Sequence, residues 1–416
     1  MAKRTHFVAV GACAIDTILT VPFFPSQDSK LRATSLTKRR GGNGPNTLEV
    51  LQQLVQYEAV RHDRRRASTS PLPPTQALSV PTLSLIAPLP AKDSLSVQFM
   101  KSSFDLMPVS TRHIAEHSGE TVITTPGPEI DFSHCLHREE HLEPVSSYII
   151  SDSSTSSRTI VNYNALQEMT YLEFTKITDS ILQSSLDGLS PEPNVEEVQF
   201  WFHFEGRIPD VTLQCVKHLR SVVEQAQRRN VDLRISVELE KPGREGLQEL
   251  AEQADVVFYS RSWAEHEGYN SAEECIRQQA QRLKTSTANI PDRILICTWG
   301  ASGACATIAR SSDVIHSPAY KEPAKQIVDT TGAGDTFIAG MLFAFLYPDR
   351  TVTSHLSESL RGEPPEAKFE TVQWSLKQKL GFANELAGRK ILQDGFGGLG
   401  KAVEQLVTRL DNREEI

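Results

Sequence analysis

Hydrophobic patterning in this chain is clearest between residues 198 and 298. There, apolar runs at 198–204, 233–239, 255–259 and 293–297 alternate with helix-period segments near 210–229, 244–253 and 271–284. Continuous apolar strands separated by amphipathic helices predict a parallel sheet covered on both faces, an α/β fold. Ligands of such sheets sit beyond the carboxyl ends of the strands. At the N-terminus, 7–11 reads as another buried strand. The stretch from 15 to 41 is short, β-branched and Pro-interrupted, like a small sheet or flap. Asn43 then reads as a helix N-cap, followed by Leu48, Leu51, Leu54 and Val55 at helical spacing. Two stretches break the pattern and read as solvated insertions: 61–81, an arginine run leading into a Ser/Pro-rich tract, and 117–144, rich in Pro, His and Glu. A third polar segment, 348–370, separates two helices.

Composition narrows the class. The 416 residues are 39% hydrophobic and 23% charged, a globular balance that excludes collagen, coiled coil and wholesale disorder. That length admits two or three domains, or one large α/β domain with insertions. A net charge of −9 lacks the footprint of a nucleic-acid binder. The longest apolar run, 337–347, is too short to span a bilayer, and the N-terminus has no signal-peptide pattern. The six cysteines are scattered without a C-x-x-C pair, as expected of reduced thiols in a cytoplasmic protein.

Chemistry concentrates in Val328-Asp329-Thr330-Thr331-Gly332-Ala333-Gly334-Asp335-Thr336-Phe337, which runs straight into an apolar helix. Glycines let a ligand approach the backbone, and the free N–H groups of a helix start form an anion site. An acid at that mouth reads either as a helix cap or as a base. As a base, Asp335 would take the proton of a hydroxyl attacking a phosphoryl group, while the N–H groups stabilise the transferring charge. Two other motifs are decoys. Gly395-Phe396-Gly397-Gly398-Leu399-Gly400-Lys401 mimics a P-loop, but a helix precedes it and Ala402 stands where a Ser or Thr is needed. His134, Cys135, His137 and His141 lack a second pair at zinc spacing and read as a polar loop.

The segment 329–337 closely resembles the C-terminal signature of the ribokinase-like (PfkB) carbohydrate kinases, and Gly41-Gly42-Asn43-Gly44-Pro45-Asn46-Thr47 resembles their N-terminal Gly-Gly-Asn motif. Four segments resemble the ketohexokinase (fructokinase) branch in particular: His203 to Arg207, Ser236 to Pro242, Asp255 to Ser260 and Ser271 to Glu274. The resemblance implies a three-layer α/β/α fold with a mostly parallel sheet. It forms one kinase domain over 1–416, with a β-sheet lid from about 17–41 and 146–164. It implies ATP with Mg²⁺ as cofactors. Asp335 would be the base and Gly332, Ala333 and Gly334 the anion hole. Asp16, Gly42, Asn43 and Asn46 would bind sugar. Arg158, Trp299 and Gly303, with Gly332 and Gly334, would serve the nucleotide, although Trp299 reads equally well as core. Lids of this branch clasp across a homodimer, which is therefore implied too. Two departures stand out: Gly44-Pro45 replaces the usual small residues, and Ser260-Arg261-Ser262-Trp263 stands where many relatives carry Asn-x-x-Glu.

The expected function is ATP-dependent phosphorylation of a sugar hydroxyl, a ketohexose such as fructose first. A ribokinase- or nucleoside-kinase-like enzyme with another acceptor is the neighbouring alternative. A sugar-binding regulator that has kept the fold is the non-enzymatic one.

Overall fold

A computed structural model describes residues 2–68, 79–115, 119–155, 157–187, 196–226, 230–284, 290, 292–322, 325–354, 368–402 and 404–411. The first half of the chain forms β1 (Ala2–Val10), β2 (Ala14–Val21), β3 (Ser35–Gly41), α1 (Asn43–Ser68), β4 (Thr82–Ile86), β5 (Pro88–Pro90), α2 (Leu95–Ser102), β6 (Val109–Ala115), β7 (Gly119–Thr125), β8 (Ile130–Asp131), β9 (Leu136–Arg138), β10 (Val145–Asp152) and β11 (Arg158–Tyr163). There follow α3 (Tyr171–Asp187), β12 (Glu196–Glu205), α4 (Pro209–Ala226), β13 (Val231–Leu239), α5 (Leu247–Ala251), β14 (Val256–Tyr259), α6 (Arg261–His266), α7 (Ala272–Leu283), β15 (Ile294–Thr298), β16 (Ala304–Ile308), β17 (Ile315–Ser317), α8 (Ala333–Leu346), β18 (Asp349–Ser354), β19 (Lys368–Gln373), α9 (Leu376–Lys390), α10 (Leu399–Ala402) and α11 (Glu404–Asp411).

Nine strands form the central sheet in the order β17-β16-β15-β14-β13-β12-β1-β4-β8. Its neighbours from β15 through β8 pair in parallel, whereas β16 and β17 add on antiparallel at one edge. Alternation along β1 and β12 shows why both faces are covered. Phe7, Ala9 and Trp201 join an apolar cluster with α1, α8 and α9. Val8, Val10, Phe200, Phe202 and Phe204 point the other way, into a cluster with α3, α4 and α7. All six cysteines are buried free thiols. Among the described residues no helix is long and apolar enough to cross a membrane.

A second sheet of four strands, in the order β11-β10-β2-β3, stands apart from the first. Its period-2 alternation gives it two different faces. Asp16, Ser147, Ile149, Arg158, Ile160 and Asn162 face a cavity over the central sheet. Leu19, Leu36, Tyr148, Val161 and Tyr163 lie on the opposite face and are exposed.

Several expectations need correction. Residues 61–68 are helical: they finish α1, where Arg61 bonds Glu58 and Asp411 at 2.9 and 2.6 Å and Arg64 bonds Glu404 at 2.6 Å. Two of those acids come from the far C-terminus, so Arg61 and Arg64, which read as part of a loop, belong to a helix tied to the end of the chain. Of the rest of that insertion, 69–78 lies outside the described residues. The stretch 117–144 is no plain loop either. From 119 it forms β7, paired with β6, then β8 on the sheet edge and β9 beside β5, while 117–118 lie outside the described residues. Segment 348–370 carries the antiparallel pair β18–β19, with 355–367 outside the described residues. The helix α1 begins at Asn43 itself, so Asn43 does not precede it as a cap.

Candidate active site

The carboxyl ends of β1, β12, β13 and β14 and the inner face of the four-stranded sheet enclose a cavity of about 620 Å³. Asp16, Gly42, Asn43, Asn46, Arg158, Gly332, Gly334 and Asp335 all line it. Residues from 16 to 335 thus meet at one place, and the anion turn faces the sugar-type residues across it.

The turn before α8 is built around Gly332, whose φ of 76° is left-handed and whose added Cβ would lie 2.3 Å from the Phe396 ring. Both facts require glycine. Gly334 is open toward the cavity, with nothing near a Cβ. As α8 starts at Ala333, the N–H groups of its first turn have no full turn of helix before them; Ala333 N–H turns back to the Thr330 carbonyl at 3.3 Å, while Gly334 and Asp335 stand at the cavity. Asp335 is the third residue of the helix, not its cap. Its carboxylate leaves the backbone and accepts a 2.7 Å hydrogen bond from Asn46 Nδ2. At 7% exposure, burial raises its pKa to about 7; the Glu240 and Glu205 charges push the same way, against Asn46 and Arg40.

On the sugar-type side, the Asp16 carboxylate lies over Gly41, where a Cβ would come within 2.7 Å of it, and 3.7 Å from Arg39 Nε. Gly42, at φ 103°, passes so close to Ala12 that a Cβ would sit 2.1 Å from its carbonyl oxygen. Asn43 Nδ2 donates to Glu238 Oε2 and to Glu240 Oε2, both at 3.0 Å. Glu205 accepts from Ala12 N at 2.9 Å and Gly44 N at 3.1 Å, which fastens the turn from both ends. Pro45 falls in the first turn of α1, where its missing N–H costs no hydrogen bond. Burial raises the pKa of both Glu205 and Glu238, and for Glu238 the nearby Asp335 and Glu240 charges add to it.

Two ties hold the small sheet to the glycine turn before α8. Arg158 Nη1, from β11, donates to Thr331 Oγ1. Arg39 Nη1, from β3, meets Asp329 Oδ2 at 3.0 Å, and Lys390 Nζ meets the same oxygen at 2.8 Å. Burial opposes ionisation of Asp329, but Lys390 and the Thr331 N–H prevail and hold its carboxyl below the usual range.

Not every expected residue converges. Trp299 and Gly303 do not line the cavity; on β15 only Thr298 does. The Trp299 indole packs against the apolar cluster of the α3/α4/α7 side, with the Arg261 guanidinium 5.5 Å from its ring centre. Gly303, at φ 91°, closes the β15–β16 turn, where a Cβ would lie 2.1 Å from the Ser317 carbonyl oxygen. Ala333 contributes the first residue of α8 and no side chain to the cavity. The P-loop mimic follows α9 and gives only the short α10, while Phe396 from it packs on Gly332. Among the described residues no three His, Cys, Asp or Glu side chains are grouped to hold a metal. Cys135 Sγ donates to the Leu85 carbonyl, and His137 Nδ1 lies 3.0 Å from the Pro90 carbonyl oxygen. The residues missed from sequence are the acids Glu205, Glu238 and Glu240, together with Arg40. The acids stand in segments whose resemblance was visible but whose individual roles were not.

Comparison with known proteins supplies the remaining observation. The model of the pfkB family of carbohydrate kinases matches residues 136–395, a span that holds Arg158, Glu205, Glu238 and the whole glycine turn before α8. The chain is similar to ketohexokinase of Mus musculus, at 26% identity over 400 residues, covering 95% of this chain and 99% of that one. In fold it is similar to Arabidopsis thaliana ribokinase complexed with ribose and ATP (TM-score 0.57, 14% identity, 97% and 99% of the two chains). It is likewise similar to adenosine kinase of Schistosoma mansoni in complex with 2-fluoroadenosine (TM-score 0.57, 16% identity, 94% and 96%).

Proposed function

The chain belongs to the PfkB family of carbohydrate kinases and is an ATP-dependent kinase, and from that premise we propose that it phosphorylates a ketohexose hydroxyl, with Asp335 as the base. The observation that carries this reading is the Asp335 carboxylate, buried at the start of α8 and held by Asn46 in one cavity with Asp16, Asn43 and Arg158. Asp16, Asn43 and Asn46 offer carboxylate and amide groups to vicinal hydroxyls. Asp335 takes the proton as the acceptor oxygen bonds to the γ-phosphorus and the bond to the β-phosphate oxygen breaks. The N–H groups of Gly332 and Gly334 receive the developing charge, joined by that of Ala333 once it leaves the Thr330 carbonyl, and Arg158 neutralises the phosphates. A pKa raised to about 7 suits a base that must accept a proton at neutral pH and release it afterwards. Trp299 and Gly303 shape the turn after β15 on the adenosine side rather than touching phosphate.

The donors beside Asp335 that would approach a nucleotide-borne Mg²⁺ are the hard oxygens of Glu238 and Glu240, which fits an ion held by one or two carboxylates, water and phosphate. When bound, Mg²⁺ supplies neutralisation of charge on the β- and γ-phosphate oxygens. The four-stranded sheet acts as a lid that excludes water, the competing acceptor. Its outward face, with Leu19, Leu36, Tyr148, Val161 and Tyr163, supports a homodimer formed through two such lids. The absence of a membrane-length helix among the described residues and the buried thiols are compatible with a cytoplasmic protein.

ADP release measured with fructose, ribose and adenosine tests the acceptor directly. Turnover with fructose at the highest kcat/KM is expected. Preference for ribose or adenosine would overturn the ketohexose reading and leave the kinase itself standing.

A further inference from the structure

The proposed base is aimed by a chain of contacts that begins outside the cavity. Asn46 can donate to Asp335 only if its carboxamide is turned with Nδ2 toward the carboxylate. Rotated by half a turn, it would present oxygen to oxygen. Arg40 decides this orientation. Its Nη1 donates to Asn46 Oδ1 at 2.9 Å, and a guanidinium can only donate, so the amide oxygen must face it.

Arg40 is itself tightly fixed. Its Nη2 donates to Glu49 Oε2 and its Nε to Ser103 Oγ at 3.0 Å. Its guanidinium also lies 4.4 Å from the ring centre of Phe104. The residue is 4% exposed, yet it does not line the cavity. A buried guanidinium with every contact satisfied is an expensive device if its only task is to fill space. It also sits at the end of β3, so the small sheet and the base are joined through it.

We propose that Arg40 is a positioning residue for phosphoryl transfer: the relay Glu49–Arg40–Asn46–Asp335 locks the Asn46 amide and keeps the base carboxylate aimed. This inference rests on Asp335 being the base. The charged groups facing Asp335 are Glu205 from β12, Glu238 from β13, Glu240 just after β13, and Arg40 from β3, with the Asn46 amide from α1. Arg40 supplies the positive charge set against three carboxylates. Glu49, in turn, faces Arg40 and the more distant Lys390 of α9.

The test compares pH profiles of kcat/KM at saturating ATP for Arg40→Gln, Arg40→Lys and Glu49→Gln, with thermal unfolding of each variant recorded alongside. Arg40→Gln is expected to lower kcat about 10- to 100-fold, less than the roughly 10²–10⁴-fold of removing the base outright. It should also move the acid limb upward by about one pH unit, because the amide is freed and the charge lost. Arg40→Lys keeps the charge and should restore part of that shift. Glu49→Gln leaves the guanidinium uncompensated and should move the limb downward. A merely structural Arg40 would lower the melting temperature in all three variants and leave the acid limb in place, which would overturn the proposal. Should Arg40→Gln not fold, the opposite movements expected of Arg40→Lys and Glu49→Gln still decide, and unmoved limbs in both overturn it. Asp335→Asn separates the two readings. Full turnover in that variant sinks the base, whereas lost turnover with unmoved limbs in the Arg40 series sinks the relay alone.

Discussion

Replacing Asp335 by Asn removes the base while keeping its size and its ability to accept the 2.7 Å bond from Asn46. Loss of general-base catalysis is expected to lower kcat roughly 10²–10⁴-fold with nucleotide binding retained. The same substitution should stabilise the fold, and the sign follows from the carboxyl's pKa, raised by burial from 3.8 to about 7. A raised carboxyl leaves the folded state holding a proton that the unfolded chain has released. Stability therefore falls as pH climbs from about 4 to about 7 and stays low above that. At about 1.4 kcal/mol per pH unit, the ceiling on the penalty above pH 7 is about 4 kcal/mol. Part of it is repulsion from Glu240 and Glu205, which relaxes once they are the only charges left. A gain of about 1–3 kcal/mol at pH 8 is expected, read as a melting temperature higher by a few degrees. The gain should shrink steadily toward pH 5 as the wild-type carboxyl protonates in the fold. Thermal unfolding of both proteins across pH 5–8, with ADP release at each pH, gives both readouts. Undiminished turnover would refute the base. A stability gain that is absent at pH 8, or flat across the range, would refute the burial argument.

Gly332→Ala places a Cβ at a left-handed φ and against Phe396, so it should cost about 1–3 kcal/mol and more than tenfold in turnover. A variant with wild-type melting and rate would show that the turn has another way to form. Tyr148→Arg, on the outward face of the four-stranded sheet, should shift sedimentation toward monomer, because burying a new charge at an apolar contact is unfavourable. An unchanged sedimentation coefficient would place any dimer contact elsewhere.

Much of the molecule was already legible in the chain. Apolar runs around 198–298 announced β12 to β15, since strands buried on both faces carry no polar side to break the pattern. Gly332 announced the turn before α8, because few other residues tolerate its left-handed backbone. Arg61 and Arg64 misled, because their partners Asp411 and Glu404 lie 350 and 340 residues away and no local period records them. Trp299 was ambiguous for a related reason: a residue just after a strand is near the site in sequence, yet its side chain turns into the apolar layer behind it.

Sequence alone thus determined the backbone-dictated parts: the layered α/β class, the apolar helix that follows the glycine turn and the pairing of that turn with an acid. Tertiary structure alone decided the electrostatics. Glu205, Glu238 and Glu240 reach Asp335 across strand ends, and Arg40 answers them through Asn46. A carboxyl's pKa depends on what lies within a few ångströms and on how much water is excluded. Neither quantity exists until the fold has brought those residues together.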